Sequence, residues 1–180
     1  TFHGSDKEQL QYQLVYGELL HAFSSKQVIN ILEIGIGTNN EEIISNMSRY
    51  GTPGASLRAF CDGLPNAKVF GADIDKNILF EEERIQTAWV DQMNPLSFLE
   101  MNKSFGNQKY DLIIDDGLHA VSANLNTLLF GLTVLKKGGW IVIEDIGTHR
   151  VCWNTIFRLL SFNDFNKYII KCPHSYLFLV

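Results

Sequence analysis

The chain has 180 residues, of which 46% are hydrophobic and 19% are charged. This length suffices for one domain with a real core but not for two, and the composition excludes a disordered or collagenous chain. We therefore expect a single domain over residues 1–180, with an N-terminal helical segment at 1–25 and a core at 30–180.

Charge and cysteine content narrow the class of protein further. Twenty acidic and fifteen basic side chains give a net charge of −5, which disfavours nucleic acid as a partner. No apolar run approaches the roughly 20 residues of a membrane span, and the first residues lack the features of a secretory signal. Cys61, Cys152 and Cys172 are widely spaced and odd in number, which argues against a disulfide framework and a zinc site. We expect a cytoplasmic protein that binds neither membrane nor nucleic acid.

Hydrophobic periodicity alternates short apolar runs with longer helical patterns, which indicates an α/β fold with a mostly parallel sheet and helices on both faces. The predicted helices cover residues 6–23, 54–62, 95–102, 120–135 and 152–160. Seven strands are predicted, at residues 30–36, 68–72, 85–90, 110–115, 139–144, 166–172 and 176–180. The last two are too close together for a parallel crossover, so we expect an antiparallel C-terminal hairpin.

The first predicted strand ends in ILEIGIG, where Gly35 and Gly37 allow a tight turn and a close approach of the backbone to a ligand. Asn40 stands where the dinucleotide fingerprint requires its third glycine, and Glu33 suits a cationic ligand better than a pyrophosphate. Taken alone, the motif is also compatible with a tight turn that binds nothing. The irregular stretch that follows, residues 37–54, has a length typical of functional loops.

Polar residues also follow the next two predicted strands. Asp73 ends the second strand, where its carboxylate could accept hydrogen bonds from a ribose diol. Asp91 and Gln92 end the third strand and could read an adenine edge, although Asp91 is also placed to cap the helix that begins near Pro95. Because the carboxyl ends of parallel strands meet at one edge of a sheet, the three positions together favour nucleoside binding.

The fourth and fifth predicted strands end in acidic pairs, Asp115-Asp116 and Glu144-Asp145. Oxygen ligands of this kind favour a hard divalent ion such as magnesium. His119 follows Asp116 by three positions, so it could face the same opening and accept a proton. The alternative is that Asp116 caps a helix, the second pair is solvated and His119 is a surface residue.

Five segments, ILEIGIG, VFGADID, WVDQ, YDLIIDDGLH and LKKGGWIVIEDI, resemble in this order the motifs of class I S-adenosylmethionine-dependent methyltransferases. The resemblance spans about residues 30–180 and implies a Rossmann-like methyltransferase fold in one domain. DDGLH followed by IED resembles the metal-dependent sugar O-methyltransferases of the macrocin and mycinamicin type. GSDK at residues 4–7 and PGASLR at 53–58 are similar to two further segments of that group.

The resemblance implies a role for each of these positions. The cofactor-binding residues would be Glu33, Gly35, Gly37, Ser56, Asp73, Asp91 and Gln92. The metal ligands would be Asp116, Glu144 and Asp145. His119 would be the general base, and Asp115 would face the transferring methyl group.

We therefore expect a Mg²⁺-dependent enzyme that moves the methyl group of S-adenosylmethionine to a hydroxyl of a small molecule, a sugar or a secondary metabolite. A non-catalytic protein that binds S-adenosylmethionine is one alternative, and the full carboxylate set with His119 argues against it. An NAD-dependent oxidoreductase is another, disfavoured by Asn40 and by the terminal hairpin. The expected partner is the small-molecule acceptor, and a homo-oligomer is compatible with the sequence.

Overall fold

The computed structural model describes residues 7, 11–23, 28–160 and 165–180. The helices in these ranges are α1 (Gln13–Phe23), α2 (Ala55–Gly63), α3 (Pro95–Ser104), α4 (Val121–Val134) and α5 (Arg150–Leu159), with 3₁₀ turns at Lys76–Ile78 and Ile146–His149. The strands are β1 (Ile29–Ile34), β2 (Ala67–Asp73), β3 (Glu81–Glu82), β4 (Ile85–Trp89), β5 (Tyr110–Asp115), β6 (Leu135–Ile143), β7 (Tyr168–Lys171) and β8 (Tyr176–Leu179).

All of these strands join one sheet, in the order β3-β4-β2-β1-β5-β6-β8-β7. The central strands β4, β2, β1, β5 and β6 are parallel, and β7 and β8 form an antiparallel hairpin against β6. The predicted α/β class and the C-terminal hairpin are thus confirmed. The sheet has one strand more than predicted, because β3 consists of two exposed glutamates, a residue type depleted in strands.

Helices cover both faces of the sheet. Successive residues of a strand point to opposite faces, so each strand packs against helices on both sides. Ile31 of β1 packs with α1 and α2, whereas Leu32, the next residue, packs with α3 and α4. Trp153 of α5 is fully buried on this second side against Phe178 of β8. Because β1 and β5 are buried along their whole length, the residues at their carboxyl ends have fixed positions.

Several predicted boundaries shift in the structure, among them the end of the first strand, which was predicted at residue 36 and lies at Ile34. The first helix was predicted from residue 6; α1 begins at Gln13, and residues 8–10 lie outside the described part. Helix α5 begins at Arg150, two residues before the predicted start. Strand β6 begins at Leu135, directly after α4, and its pairing with β5 is irregular near Tyr110. None of the helices in the described ranges has the length and hydropathy that crossing a membrane requires.

The order of strands creates a switch point at β1. The chain continues from β1 toward β2 and β4 on one side and later toward β5 and β6 on the other. Ligands of open α/β sheets bind at such a point, in the crevice beyond the carboxyl ends of the strands. Gly35 lies there with a φ of 84°, and a Cβ atom on it would come within 2.3 Å of the backbone oxygen of Asp116.

We predict that Gly35→Ala lowers the free energy of unfolding by about 2 kcal/mol or more, because it adds left-handed strain and a steric overlap. Thermal or denaturant unfolding measures the loss. The matched control is Gly17→Ala, since Gly17 is an exposed position of helix α1 with open space around its Cβ position. This control should be neutral or stabilise by about 0.5–1 kcal/mol. Equal stability of Gly35→Ala and the wild type would contradict the close approach of Gly35 to the backbone of Asp116.

Candidate active site

A crevice of about 650 Å³ opens at the carboxyl edge of the sheet. Its walls come from the ends of β1, β2, β4 and β5 and from the 37–54 loop, and they include Gly35, Gly37, Asp73, Asp91 and His119. This volume is typical of small-molecule sites, which are usually 300–1,000 Å³. Residues separated widely in the sequence therefore face one cavity at the switch point.

Asp73, at the end of β2, joins two of the turns that shape this crevice. Its Oδ2 accepts a hydrogen bond from the backbone N–H of Ile36 at 2.9 Å, and its Oδ1 accepts one from that of Asp75 at 2.9 Å. Burial raises the pKa of Asp73, while these backbone donors oppose the rise. The carboxylate thus fixes the β1 turn relative to β2 and also lines the cavity.

Asp91 and Gln92 line the cavity at the end of β4 but are also engaged within the protein. Asp91 Oδ1 accepts from the N–H of Met93 at 2.9 Å, so it caps a turn, and Asn94 caps α3 instead. The Gln92 amide donates to Asp115 Oδ1 at 2.8 Å and accepts from the N–H of Leu118 at 2.7 Å. Gln92 therefore links β4 to the DDGLH segment, a role that the sequence did not suggest.

Glu33 is completely buried beneath the crevice. One of its oxygens accepts a hydrogen bond from Ser56 Oγ, and the other lies 3.2 Å from Lys7 Nζ. Burial raises the pKa of Glu33, and the charge of Lys7 opposes the rise. Ser56 and Lys7 both line the crevice, so they stand between the cavity and the carboxylate that we expected to meet the cofactor.

Asp115 was expected to face the transferring methyl group, but the structure buries it completely below the crevice. Its carboxylate accepts from Gln92 Nε2 at 2.8 Å, Asn124 Nδ2 at 3.0 Å and the N–H of Gly117 at 3.3 Å. Burial raises its pKa, and the hydrogen bonds oppose the rise. Asp115 is the last residue of β5, and its side chain points into the protein. Its hydrogen bonds therefore connect β5 to α4 and to the segment that follows β4.

Asp116, His119 and Asp145 form the group most suited to a cation among the described residues. One ligand atom from each lies within 4.8 Å of the others. His119 Nε2 is 3.9 Å from Asp116 Oδ1, and no described group forms a hydrogen bond with the buried His119 Nδ1. His119 and Asp145 both have left-handed backbones, with φ of 56° and 55°. Such strain in non-glycine residues is concentrated at functional sites.

Glu144 takes a different place from the other predicted metal ligands. Only 1% of it is exposed, and both of its oxygens lie 2.8 Å from Lys7 Nζ. It also accepts a hydrogen bond from the hydroxyl of Tyr16. Burial and the nearby charge of Asp116 raise its pKa well above the usual value, and Lys7 and Tyr16 oppose the rise. The predicted trio of acids is therefore split, with Glu144 paired to an internal ammonium.

Sequence reasoning missed the contribution of the N-terminal segment to this site. Lys7 contacts Glu33, Asp116 and Glu144, and Tyr12 donates to Asp145 Oδ1 at 2.5 Å. The GSDK resemblance was a signal for Lys7. Tyr12 and Tyr16 are four residues apart, and both are buried with their hydroxyls directed to the strand ends.

Comparisons with known proteins agree with this architecture. No family model matches the chain. It is 31% identical over 148 residues to 8-demethyl-8-α-L-rhamnosyl tetracenomycin-C 2′-O-methyltransferase of Streptomyces olivaceus, covering 81% of this chain and 36% of that protein. It is 32% identical to demethylmacrocin O-methyltransferase of Streptomyces fradiae, covering 67% and 28%. The chain thus spans about a third of the length of these curated relatives.

Solved structures show the same fold. The methyltransferase MycE of mycinamycin biosynthesis, in complex with Mg and SAH, matches with a TM-score of 0.70 and 22% identity, over 93% of this chain and 48% of MycE. Human methyltransferase-like protein 13 with SAH matches with a TM-score of 0.60 and 14% identity, over 96% and 81%. The chain is therefore a homologue of the macrocin-, mycinamicin- and tetracenomycin-type sugar O-methyltransferases and has the S-adenosylmethionine-dependent methyltransferase fold.

Proposed function

We propose that this protein is an O-methyltransferase that moves the methyl group of S-adenosylmethionine to a hydroxyl of a sugar-bearing small molecule. The observation that carries the proposal is that one crevice has the strand-end residues Asp73 and Asp91 in its wall and the cluster Asp116, His119 and Asp145 beside them. The relatives, which are named as O-methyltransferases of sugar-containing metabolites, support this assignment. We further propose that residues 30–180 form the methyltransferase core of one domain.

The crevice fits the cofactor in size and in polarity. Asp73 lies at the end of β2, where its carboxylate can accept hydrogen bonds from the ribose hydroxyls. Asp91 lies at the end of β4, where it can contact the adenine edge. Gly35 and Gly37, with φ of 84° and 81°, expose backbone at the turn that follows β1. Ser56 lines the same wall and donates to Glu33, so the methionine end would meet Glu33 by way of Ser56 and Lys7.

The donor set also fits a divalent ion. Asp116 Oδ1 and Asp145 supply the hard oxygen ligands that magnesium prefers, and an ion held by few protein ligands keeps positions for water or an acceptor. When bound, S-adenosylmethionine supplies the methyl group and the ion supplies Lewis acidity. The ring of His119 lies beside this set and would accept the proton of the acceptor hydroxyl, since imidazole is the side chain suited to that task near neutral pH.

Hydrogen bonds fix the position of residues 115–119, the segment that carries Asp116 and His119. The Gln92 side chain binds Asp115 and the N–H of Leu118, and the backbone N–H of Asp116 donates to the carbonyl of Ile34 at 2.8 Å. Proximity and orientation are the contributions that the protein can make to an in-line methyl transfer. We therefore assign Asp115 a positioning role beneath the crevice.

S-adenosylhomocysteine should bind and NAD⁺ should not. Because a ligand that binds the folded state stabilises it by mass action, saturating S-adenosylhomocysteine at about 100 times its Kd should add about 2.7 kcal/mol. Thermal shift and calorimetry measure this effect. Asp73→Asn should weaken binding, whereas Glu100→Gln, on the exposed face of α3, should not. Binding of NAD⁺ but not of S-adenosylhomocysteine would overturn the proposal.

His119→Ala should separate a general base from a metal ligand. As a base, His119 contributes roughly 10²- to 10⁴-fold to turnover, and its loss should leave Mn²⁺ affinity close to that of the wild type. Asp116→Asn and Asp145→Asn should weaken Mn²⁺ binding and turnover together. The measurements are Mn²⁺ titration and methyl transfer to 8-demethyl-8-α-L-rhamnosyl tetracenomycin C, with and without EDTA. Unchanged turnover of His119→Ala, or full activity in EDTA, would contradict these assignments.

Asp115→Asn should destabilise the protein by about 1–3 kcal/mol, because an amide places a donor among groups that already donate to this position. Chemical denaturation measures the loss, and Glu100→Gln is the exposed control. Residual folded Asp115→Asn should retain binding of S-adenosylhomocysteine. A stable variant that had lost only turnover would instead favour direct contact between Asp115 and the reacting groups.

A further inference from the structure

Arg58 is the charged residue of the PGASLR segment, and the proposed function leaves it without a role. It lies near the start of α2, and 29% of its side chain is exposed. Its Nη1 donates to the carbonyl of Pro53 at 2.9 Å, and its Nε and Nη2 both donate to Glu82 Oε1, at 2.9 and 2.8 Å. The guanidinium also lies over the ring of Phe80, 4.2 Å from its centroid. One side chain therefore joins the start of α2 to β3 and to the segment before β3.

The turn that Arg58 holds also shapes the crevice. Gly54, with a φ of 73°, donates its N–H to the carbonyl of Ile36, in the turn that follows β1, at 2.8 Å. The ring of Phe80 packs on Gly54 so closely that a Cβ atom there would come within 2.5 Å of it. Ser56, in the first turn of α2, lines the crevice. The place of Ser56 in the crevice wall thus depends on the turn that precedes it.

Helix α2 begins without the side chains that usually fix the start of a helix. Its N-cap residue is Gly54, which has no side-chain oxygen to accept from the first N–H groups, and its first turn holds no acidic residue. The planar guanidinium of an arginine can donate to two acceptors in a fixed geometry. Arg58 uses this geometry to hold the carbonyl of Pro53 and the carboxylate of Glu82 together.

A second arginine holds the other end of the same helix. Arg84 Nη2 donates to the carbonyl of Cys61 at 2.7 Å, and its Nη1 donates to that of Leu64, the C-cap residue, at 2.9 Å. These residues lie outside the crevice wall. The two arginines make the same kind of contact at opposite ends of α2, and the end that Arg58 holds is the one at the cavity.

We propose that Arg58 is a positioning residue for the methionine end of S-adenosylmethionine, because it fixes the turn that places Ser56 in the crevice wall. This role rests on the proposed function, which assigns the methionine end to Ser56 and the adenosine end to Asp73 and Asp91. Arg58 is outside the crevice wall, so it acts through the turn and not by contact. Its loss therefore weakens recognition of the amino-acid part of the cofactor more than recognition of the adenosine part.

The test compares two ligands that share the adenosine part. S-adenosylhomocysteine carries the amino-acid chain, and 5′-methylthioadenosine lacks it. Arg58→Gln should weaken binding of S-adenosylhomocysteine about tenfold, the effect of one lost charge-assisted hydrogen bond. The Kd of 5′-methylthioadenosine should stay close to that of the wild type. Calorimetry on the full chain measures both constants.

Arg84→Gln is the matched control, because it removes the same kind of contact from the far end of α2. It should lower the melting temperature but leave the ratio of the two dissociation constants unchanged. A merely structural role for Arg58 would give the same result in Arg58→Gln, with lower stability and an unchanged ratio.

Glu82 tests whether the contact with β3 orients Arg58. Glu82→Ala should weaken binding of S-adenosylhomocysteine in the same direction as Arg58→Gln but less, whereas Glu81→Ala, at the exposed neighbouring position, should match the wild type. Because Glu82 acts through Arg58, the double variant Arg58→Gln/Glu82→Ala should bind like Arg58→Gln alone. If Arg58→Gln does not fold, Glu82→Ala provides the comparison of the two ligands.

The proposal would be overturned if Arg58→Gln lost affinity equally for both ligands or for neither, or if Arg84→Gln showed the selective loss. Selective loss in Arg58→Gln with normal binding by Arg84→Gln supports it. Failure of the wild type to bind either ligand has a different meaning, since it would reject the proposed function and the role of Arg58 with it.

Discussion

The convergence of parallel strand ends at one edge forces acidic side chains together, and the rest of the site depends on how their charge is balanced. Glu33, Asp116 and Glu144 come from positions far apart in the chain, yet all contact one ammonium. A buried carboxylate without a partner would cost several kcal/mol, so such a cluster persists only with compensating charge and hydrogen bonds. Lys7 supplies the charge, and Tyr16 and Ser56 supply donors to two of the carboxylates.

A second layer below the crevice consists of neutral amides around one acid. Asp115 receives hydrogen bonds from Gln92 and Asn124, and Gln92 in turn holds the backbone of Leu118. These groups are buried, where hydrogen bonds are stronger and unpaired groups more costly. The layer therefore fixes the segment 115–119 against β4 and α4. The first acid of the DDGLH motif thus has structural partners although it does not face the cavity.

Sequence periodicity was sufficient for the fold because the buried strands and amphipathic helices carry strong signals. It missed β3, whose Glu81 and Glu82 are exposed and show no hydrophobic alternation. Strand ends also indicated which polar residues gather at one edge. Sequence could not give the direction of each side chain, since consecutive residues such as Asp115 and Asp116 leave the strand on different sides. That difference separates the buried acid from the one that lines the crevice.

The contribution of the N-terminal segment to the site was the hardest feature to predict, because its contacts join residues that are far apart in the sequence. Lys7 is separated by 109 residues from Asp116 and by 137 from Glu144, and no local pattern encodes contacts of that range. The pair Tyr12 and Tyr16 showed only the spacing of a packed helical face, and that packing is present. The hydrogen bonds of their hydroxyls to Asp145 and Glu144 could be identified only from the structure, which brings α1 next to the carboxyl end of β6.

The 37–54 loop forms one wall of the crevice, opposite the strand ends that form the others. Several contacts hold it. The hydroxyl of Ser45 donates to the carbonyl of Gly117 at 2.6 Å, the N–H of Met47 donates to the carbonyl of Thr38 at 2.8 Å, and the Met47 side chain fills the space beside Gly37. Ile44 and Tyr50 also line the crevice, yet they are 90% and 80% exposed. Because Ser45 ties the loop to Gly117, Ile44 and Tyr50 belong to a loop that is joined directly to the segment carrying Asp116 and His119.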